Sequence, residues 1–206
     1  MSKQILIVLS EWGYWGEELV GPLEACDSAG YGVTFITLTG KRPLAHPVSM
    51  SPGFIDPPLG RSVVSEEMAE KTRAIEASDR LTNPLNLADW MPVRPYPSTA
   101  TYLRDMETYY ARHEDIRRQD IAEYDALVVV GSSGSLVDLA NNQRLHDLII
   151  GFVESDKLVA CECYGVSYLI LRARGRQPTM PDPGQTRHRL FHRVRLPGRH
   201  RLRRAP

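Results

Sequence analysis

Cysteines are few in this chain, and their spacing excludes two kinds of small protein. Only three occur among 206 residues, at Cys26, Cys161 and Cys163. An odd number without regular spacing argues against a disulfide framework, and the C-x-C pair lacks the C-x-x-C spacing of a zinc knuckle. We therefore expect no metal site, and a chain of this length can bury a sizeable core without such supports.

Long apolar runs are missing as well. The apolar run over residues 5–9 is too short for the hydrophobic region of a signal peptide, and no small-residue cleavage site follows it. No stretch approaches the roughly 18 apolar residues that a membrane span needs. We predict a cytoplasmic protein without a membrane partner.

The net charge is zero because the charges of a basic part and an acidic part of the chain cancel each other. Residues 172–206 contain eleven arginines, no lysine and one acid, Asp182, whereas the remainder is acidic by the same amount. We predict a domain over residues 1–171 and an irregular Arg/Pro-rich tail over 172–206. Two origins of the tail stay open: a native basic arm, and a shifted reading frame of a GC-rich gene. Nucleic acid is not an expected partner, because Phe191 is the only aromatic residue of the tail that could stack on bases.

Apolar patterning predicts an α/β domain with a parallel sheet. Short apolar runs are typical of buried strands over residues 4–9, 32–38, 124–130 and 157–161. Helical spacing alternates with them over residues 17–29, 65–79, 98–119, 136–152 and from 164 onward. The stretch over residues 41–120 is too long for a plain connection, and proline-marked loops cover residues 41–64 and 83–96. We therefore predict an insertion there.

Cys163 stands where many α/β enzymes carry a nucleophile. It follows an apolar strand and precedes Tyr164, Gly165 and a predicted helix, so its side chain is expected on a sharp, exposed turn. Donors at the helix N-terminus would lower the pKa of the thiol below its ordinary value of about 8.5. A small buried hydrophobic role for this cysteine stays open, because free cysteines are often buried.

Three motifs together resemble those of the ThiJ/PfpI superfamily. They are Gly13-x-x-x-Glu17-Glu18-x-x-x-Pro22 after the first strand, Gly131-Ser132-Ser133-Gly134 after the third and Glu162-Cys163-Tyr164-Gly165-Val166 after the fourth. The resemblance covers residues 4–171. Because of the insertion, the chain looks most like the larger members of the family, the glyoxalase III and stress-chaperone branch. It implies a class I glutamine amidotransferase-like fold, which is a flavodoxin-like parallel sheet with helices on both faces. It also implies a homodimer, as in many relatives.

Carried over position by position, the resemblance implies a Cys–Glu site. Cys163 matches the nucleophile, and Glu18 matches the acid beside its sulfur, with Glu17 as the alternative. A carboxylate and a thiolate in contact cannot both be charged cheaply. The pair should therefore share a proton, with a protonated Glu18 donating to the thiolate.

The resemblance also implies an oxyanion hole. The backbone N–H groups of Ser132 and Tyr164 would stabilise a tetrahedral adduct on the sulfur, with Gly131 and Gly165 supporting the two turns. Ser132 departs from the family pattern, which has glycine there, and a positive φ would strain a serine.

The positions of the histidines also depart from the family pattern. Many relatives have histidine directly after the nucleophile, where this chain has Tyr164. Amidotransferases use a downstream His–Glu pair, but His188, His192 and His200 are not in a His-Pro-Glu context. A Cys–Glu mechanism is therefore favoured over hydrolysis by a Cys–His dyad. The remaining histidines are predicted to be surface or structural residues: His46, His113 and His146.

These residues favour a cofactor-free enzyme that acts on a small carbonyl compound. Thiol attack, an oxyanion hole and proton transfer by Glu18 would convert a 2-oxoaldehyde to a 2-hydroxyacid, as glyoxalase III does, or support a related hydrolysis or hydration. Two alternatives stay open. One is a non-catalytic redox-sensing or chaperone-like stress protein in which Cys163 is oxidised reversibly. The other is an inactive domain.

Overall fold

The computed structural model describes residues 2–173, with side chains as far as Leu169. The predicted tail over 172–206 lies outside these described side chains, and so do the three downstream histidines. No helix within residues 2–173 is long and apolar enough to cross a membrane.

The strands of the described part form one main sheet and one small ribbon. They are β1 (Gln4–Val8), β2 (Gly32–Thr37), β3 (Ile55–Asp56), β4 (Arg61–Ser62), β5 (Leu85–Asn86), β6 (Ala126–Val129) and β7 (Leu158–Cys161). The main sheet is parallel and has the order β5-β2-β1-β6-β7, whereas β3 and β4 pair with each other in antiparallel fashion. The predicted flavodoxin-like α/β fold is confirmed.

The α-helices of the described part lie between these strands or follow the last one. They are α1 (Gly16–Ser28), α2 (Glu66–Ala77), α3 (Leu87–Trp90), α4 (Tyr102–Arg118), α5 (Ser135–Asp138), α6 (Gln143–Glu154) and α7 (Val166–Ala173). Side-chain caps lie at the start of three of them, α2, α3 and α6. Ser65 accepts a hydrogen bond from the backbone N–H of Met68 at 3.2 Å, and Asn142 accepts one from Leu145 at 3.1 Å.

β1 and β6 at the centre of the sheet are buried on both faces, as their apolar runs predict, whereas β7 was predicted to be buried but is only partly so. Successive side chains of a strand point to opposite faces. Leu6 and Val8 accordingly lie in one hydrophobic core, which α3, α4, α6 and α7 cover. Ile5 and Ile7 lie in a second core, which α1 and the end of α2 cover.

The structure differs from the predictions at three segments. The loop over residues 41–64 contains the β3–β4 ribbon, and the loop over residues 83–96 contains β5 and α3. Because β5 pairs with β2, part of the predicted insertion belongs to the main sheet. Strands of two residues are too short to show an alternating pattern. The single helix predicted over residues 136–152 is instead α5 and α6, because the Asn142 cap starts a new helix.

A buried carboxylate on α6, that of Asp147, binds side chains from α4 and from the segment before α4. Asp147 on α6 is 4% exposed. It accepts hydrogen bonds from Tyr109 of α4 and from Gln143. Arg94 donates to it as well, at 2.9 Å, and His113 Nε2 lies 3.9 Å away. Several donors from different elements therefore depend on one acceptor.

Asp147→Ala should lower the free energy of unfolding by about 3 kcal/mol, because these donors lose their acceptor in a place that water reaches poorly. Asp115→Ala is the control, since Asp115 forms a largely exposed pair with Arg118 and its loss should cost below about 1 kcal/mol. Urea unfolding followed by circular dichroism measures both variants. Equal losses would contradict the importance of the buried carboxylate.

Candidate functional site

Three loops meet at the carboxyl-terminal edge of the sheet. Val8, Val129 and Cys161 are neighbours in register across β1, β6 and β7. The loops that follow these strands therefore leave the sheet side by side. The chain order reverses at β1, which lies between β2 and β6, and open α/β sheets bind ligands at such a point. All predicted site residues follow one of these three strands.

Cys163 occupies a strained turn after β7. Its φ of +48° lies in the left-handed region, which residues other than glycine rarely adopt. The chain continues as a 3-10 helix over Cys163–Gly165 and then as α7. Backbone hydrogen bonds hold the turn: Glu162 N–H donates to Val129 at 3.2 Å, and Gly165 N–H donates to Glu162 at 2.8 Å. The turn presents Cys163 as an exposed residue.

Two glycines allow the loops after β6 and β7 to touch. A Cβ atom at Gly131 would lie 2.5 Å from the carbonyl oxygen of Glu162 and 2.8 Å from the amide nitrogen of Tyr164. A Cβ atom at Gly165 would lie 2.8 Å from the carbonyl oxygen of Val129. Such distances are too short for carbon, and backbone atoms cannot rotate aside as a flexible side chain can. The predicted supporting role of both glycines thus has a steric basis.

Glu18 lies beside the thiol of Cys163. Burial raises the pKa of Glu18 to about 6, and the charges of Glu162 and Glu17 act in the same direction. Hydrogen bonds from the Cys163 thiol and from the backbone N–H of Gly131 oppose this rise, because they stabilise the carboxylate. One oxygen, Oε2, is buried and accepts no hydrogen bond from the described residues. The acid is therefore a base at neutral pH and has a free lone pair.

The thiol itself departs from the prediction. Although Cys163 is exposed as a whole residue, burial of its sulfur raises the pKa of the thiol to about 11, and the hydrogen bond and charge of Glu18 add to the rise. The predicted lowering of the thiol pKa is wrong, because burial of the sulfur, followed by the adjacent Glu18 carboxylate, outweighs the backbone donors of Tyr164 and Ser132. Between about pH 6 and about pH 11 the pair therefore holds one proton. Because the pKa of the thiol is raised further than that of Glu18, the sulfur holds that proton more strongly than the carboxylate does.

Ser132 and Tyr164 both turn a backbone N–H toward the sulfur, where these groups favour the thiolate. Ser132 has a φ of +116°, a region typical of glycine. Its hydroxyl holds this conformation, because it donates to the carbonyl of Gly13 at 2.6 Å and accepts from the backbone N–H of Ser135 at 3.3 Å. Ser135 Oγ donates to the carbonyl of Ser132 at 2.7 Å. The serine that departs from the family pattern thus ties the β6 loop to the β1 loop.

His46 is not among the predicted site residues, yet it contacts two site loops. Its Nε2 atom accepts from the backbone N–H of Gly134 at 3.3 Å and lies 3.3 Å from Ser133 Oγ. Its ring also covers Gly13, where a Cβ atom would lie 2.6 Å from the ring carbon Cε1. Burial lowers the pKa of His46, which favours the neutral ring that can accept a hydrogen bond. Gly134 is 88 residues away in sequence, so no local pattern indicates this contact.

The remaining predicted positions lie at the edges of the site or outside it. Glu17 is exposed next to Glu18, and the side chain of Tyr164 faces solvent, with the residue 49% exposed. His146 is structural, since its Nε2 contacts the carbonyl of Ala140 at 3.1 Å. Within residues 2–173, no three His, Cys, Asp or Glu side chains are grouped closely enough to hold a metal ion.

Solved structures with a similar fold include the rapid encystment protein of 24 kDa from Francisella tularensis. The two chains are 18% identical with a TM-score of 0.51, and the match covers 82% of this chain and 61% of that one. Another solved protein matches at 21% identity and a TM-score of 0.51, over 82% of this chain and 60% of its own. This chain thus spans about 60% of the length of these two structures. Such identities establish the fold alone.

Glyoxalase III from Candida albicans is a looser match. It is 15% identical with a TM-score of 0.45, and the match covers 81% of this chain and 59% of that one. A likeness of this degree carries no conclusion about function. No curated protein matches the chain in sequence.

One protein-family model matches most of the chain. The model described as ThiJ/PfpI family-like matches residues 9–181, which include the β1 loop, the β6 loop and the Cys163 turn. That match extends over most of the chain and agrees with the three motifs and with the parallel sheet. This chain therefore belongs to the ThiJ/PfpI-like family.

Proposed function

We propose that the chain is a cofactor-free enzyme that uses Cys163 and Glu18 to act on a small carbonyl compound. The thiol–carboxylate pair supports this most. A thiol on a strained turn donates to a carboxylate whose pKa is raised to about 6. At neutral pH that carboxylate is placed to accept the thiol proton while the sulfur attacks a carbonyl carbon.

The reaction that fits these parts best is the conversion of a 2-oxoaldehyde to a 2-hydroxyacid. In the first step the sulfur bonds to the aldehyde carbon, and the thiol proton passes through Glu18 to the new oxygen. The backbone N–H groups of Ser132 and Tyr164 stabilise the charge that develops on this oxygen. The product of the step is a hemithioacetal.

The second step moves a proton between the two carbons. Glu18 takes the proton from the former aldehyde carbon and returns it to the neighbouring carbonyl carbon, while the hemithioacetal hydroxyl passes its proton to the oxygen on that neighbouring carbon, which leaves a thioester of the 2-hydroxyacid on Cys163. Water then breaks the carbon–sulfur bond and restores the thiol. One carbon is oxidised as the other is reduced, so the sequence needs no external oxidant or reductant. Hydration or hydrolysis of a related metabolite would use the same groups.

A redox-sensing role receives less support, because the pKa of the thiol is raised. Peroxides react with the thiolate, and burial together with Glu18 raises the pKa of Cys163 to about 11. A resting thiol held by a carboxylate suits a reaction in which a base removes the proton during attack.

Cys163→Ala should lower kcat/KM for methylglyoxal by at least about 1,000-fold, because no other group can form the thioester. Turnover by the wild type should rise with pH through about 6, as Glu18 loses its proton and becomes the base. Formation of lactate measures both effects. Cys26→Ala is the control, since Cys26 is buried in the core under α1 and should be dispensable for turnover.

Two outcomes would contradict this function. One is turnover that survives in Cys163→Ala. The other is a folded wild-type protein that converts neither methylglyoxal nor a larger 2-oxoaldehyde.

A further inference from the structure

Two more carboxylates stand beside the Cys163–Glu18 pair, and the proposed reaction uses neither of them. Glu162 directly precedes Cys163, and Glu17 directly precedes Glu18 in the first turn of α1. Both are exposed, as is Cys163. Two exposed carboxylates therefore lie next in sequence to the nucleophile and to its acid.

Gly131 shows how closely the two carboxylate-bearing segments converge. Its backbone N–H donates to the carboxylate of Glu18. A Cβ atom on it would lie 2.5 Å from the carbonyl oxygen of Glu162 and 2.9 Å from Cβ of Cys163. The end of β7 and the start of α1 thus contact the same glycine. In agreement, the charge of Glu17 adds to burial in raising the pKa of Glu162, although the two residues belong to different elements.

Positive charge does not offset these carboxylates in the part of the chain that the structure describes. The charged groups that most affect Glu18, Glu162 and Cys163 are all acidic. Basic side chains of the same domain form ion pairs elsewhere: Lys71 with Glu24, Arg80 with Asp27 and Arg94 with Asp147.

We propose that Glu17 and Glu162 form an acidic rim that selects the substrates of Cys163 by charge. The rim favours neutral and cationic carbonyl compounds and disfavours anionic ones such as 2-oxoacids. It also repels a 2-hydroxyacid product, whose carboxylate appears when the thioester is hydrolysed. The substrate class rests on the proposed function, whereas the charge selection at the sulfur does not.

Three methanethiosulfonate reagents test the rim, because they share one reactive group and differ in charge. One carries a trimethylammonium group, one a sulfonate and one only a neutral methyl. Their rates at Cys163 of the full chain are divided by their rates with 2-mercaptoethanol, which removes intrinsic differences between the reagents. Mass spectrometry distinguishes labelled Cys163 from half-buried Cys161 and buried Cys26. We expect a cation-to-anion ratio of about tenfold at low salt and a smaller ratio at high salt.

Charge-neutral variants assign the selectivity to the rim. Glu162→Gln and Glu17→Gln should each lower the ratio about twofold, and the double variant should lower it to the roughly twofold preference that the Glu18 carboxylate beside the sulfur maintains. Glu107→Gln removes an exposed charge from α4 and should keep the wild-type ratio. A change in the pKa of the thiol alters both rates equally, so the ratio reports only the field at the sulfur.

The outcomes separate this inference from the proposed function. A wild-type ratio at or below unity, or a ratio that the double variant leaves unchanged, would overturn the acidic rim. A tenfold ratio in a protein that converts no 2-oxoaldehyde would support the rim and refute the proposed function.

Discussion

Replacing Glu18 by glutamine should make Cys163 react about tenfold faster with iodoacetamide near pH 8.5, even though it stops turnover of a 2-oxoaldehyde. Burial and the Glu18 carboxylate together raise the pKa of the thiol to about 11. Without the carboxylate charge the pKa falls toward its ordinary value, and each unit multiplies the thiolate fraction by about ten. Iodoacetamide needs only a thiolate. The proposed reaction also needs a base, which glutamine cannot supply.

The opposite directions of these two effects make the experiment decisive. Alkylation is followed by mass spectrometry at Cys163, and turnover by formation of the 2-hydroxyacid, on the same preparations. Glu107→Gln removes an exposed charge on α4 and should change neither rate. Slower alkylation of the Glu18→Gln variant would mean that a protonated Glu18 stabilises a resting thiolate. That result would restore the arrangement that the motifs predict and contradict the thiol–carboxylate state described above.

Gly131→Ala should destabilise the domain by about 3 kcal/mol and abolish the reactivity that depends on the oxyanion hole. The new methyl carbon would lie 2.5 Å from the carbonyl oxygen of Glu162 and 2.8 Å from the amide nitrogen of Tyr164. Both atoms belong to the backbone of the Cys163 turn, so the turn itself has to move. Moving it displaces the Tyr164 N–H from the place where an oxyanion would form.

Gly21→Ala is the matched control for this substitution. Gly21 lies within α1, and a Cβ atom there meets no other atom within 4 Å. Pro22 follows Gly21 and disfavours a residue with a Cβ atom in the helical conformation, which offsets the helix propensity of alanine, so stability should change by less than about 1 kcal/mol and turnover should stay unchanged. Thermal unfolding and the rate of 2-oxoaldehyde conversion are measured for both variants. A stable, active Gly131→Ala protein would show that the two loops do not need their close contact.

Much of the fold was predictable because it depends on local patterns. The runs that form β1 and β6 are almost continuously apolar, and these strands are buried on both faces. The run of β7 is apolar as well, but this strand is only partly buried, with Leu158 52% exposed. The break between α5 and α6 was missed, although Asn142 is a residue type that favours a cap. The strand β5 could not be recognised, since it consists of two residues whose pairing with β2 depends on chain folding elsewhere.

The candidate site was likewise predictable only in part. Cys163, Glu18 and the Gly131–Gly134 turn each stand in a short motif, so the sequence by itself determined which groups are candidates for chemistry and on which loops they lie. Only the tertiary structure decided their protonation and their other neighbours. His46 reaches Gly134 across 88 residues, and the carboxylate of Glu18 reaches the sulfur from another strand's loop. A pattern of neighbouring residues encodes helices, strands and turns, because these depend on backbone geometry and burial over a few residues. A pKa or a loop contact depends on atoms that folding alone brings within a few ångströms of each other.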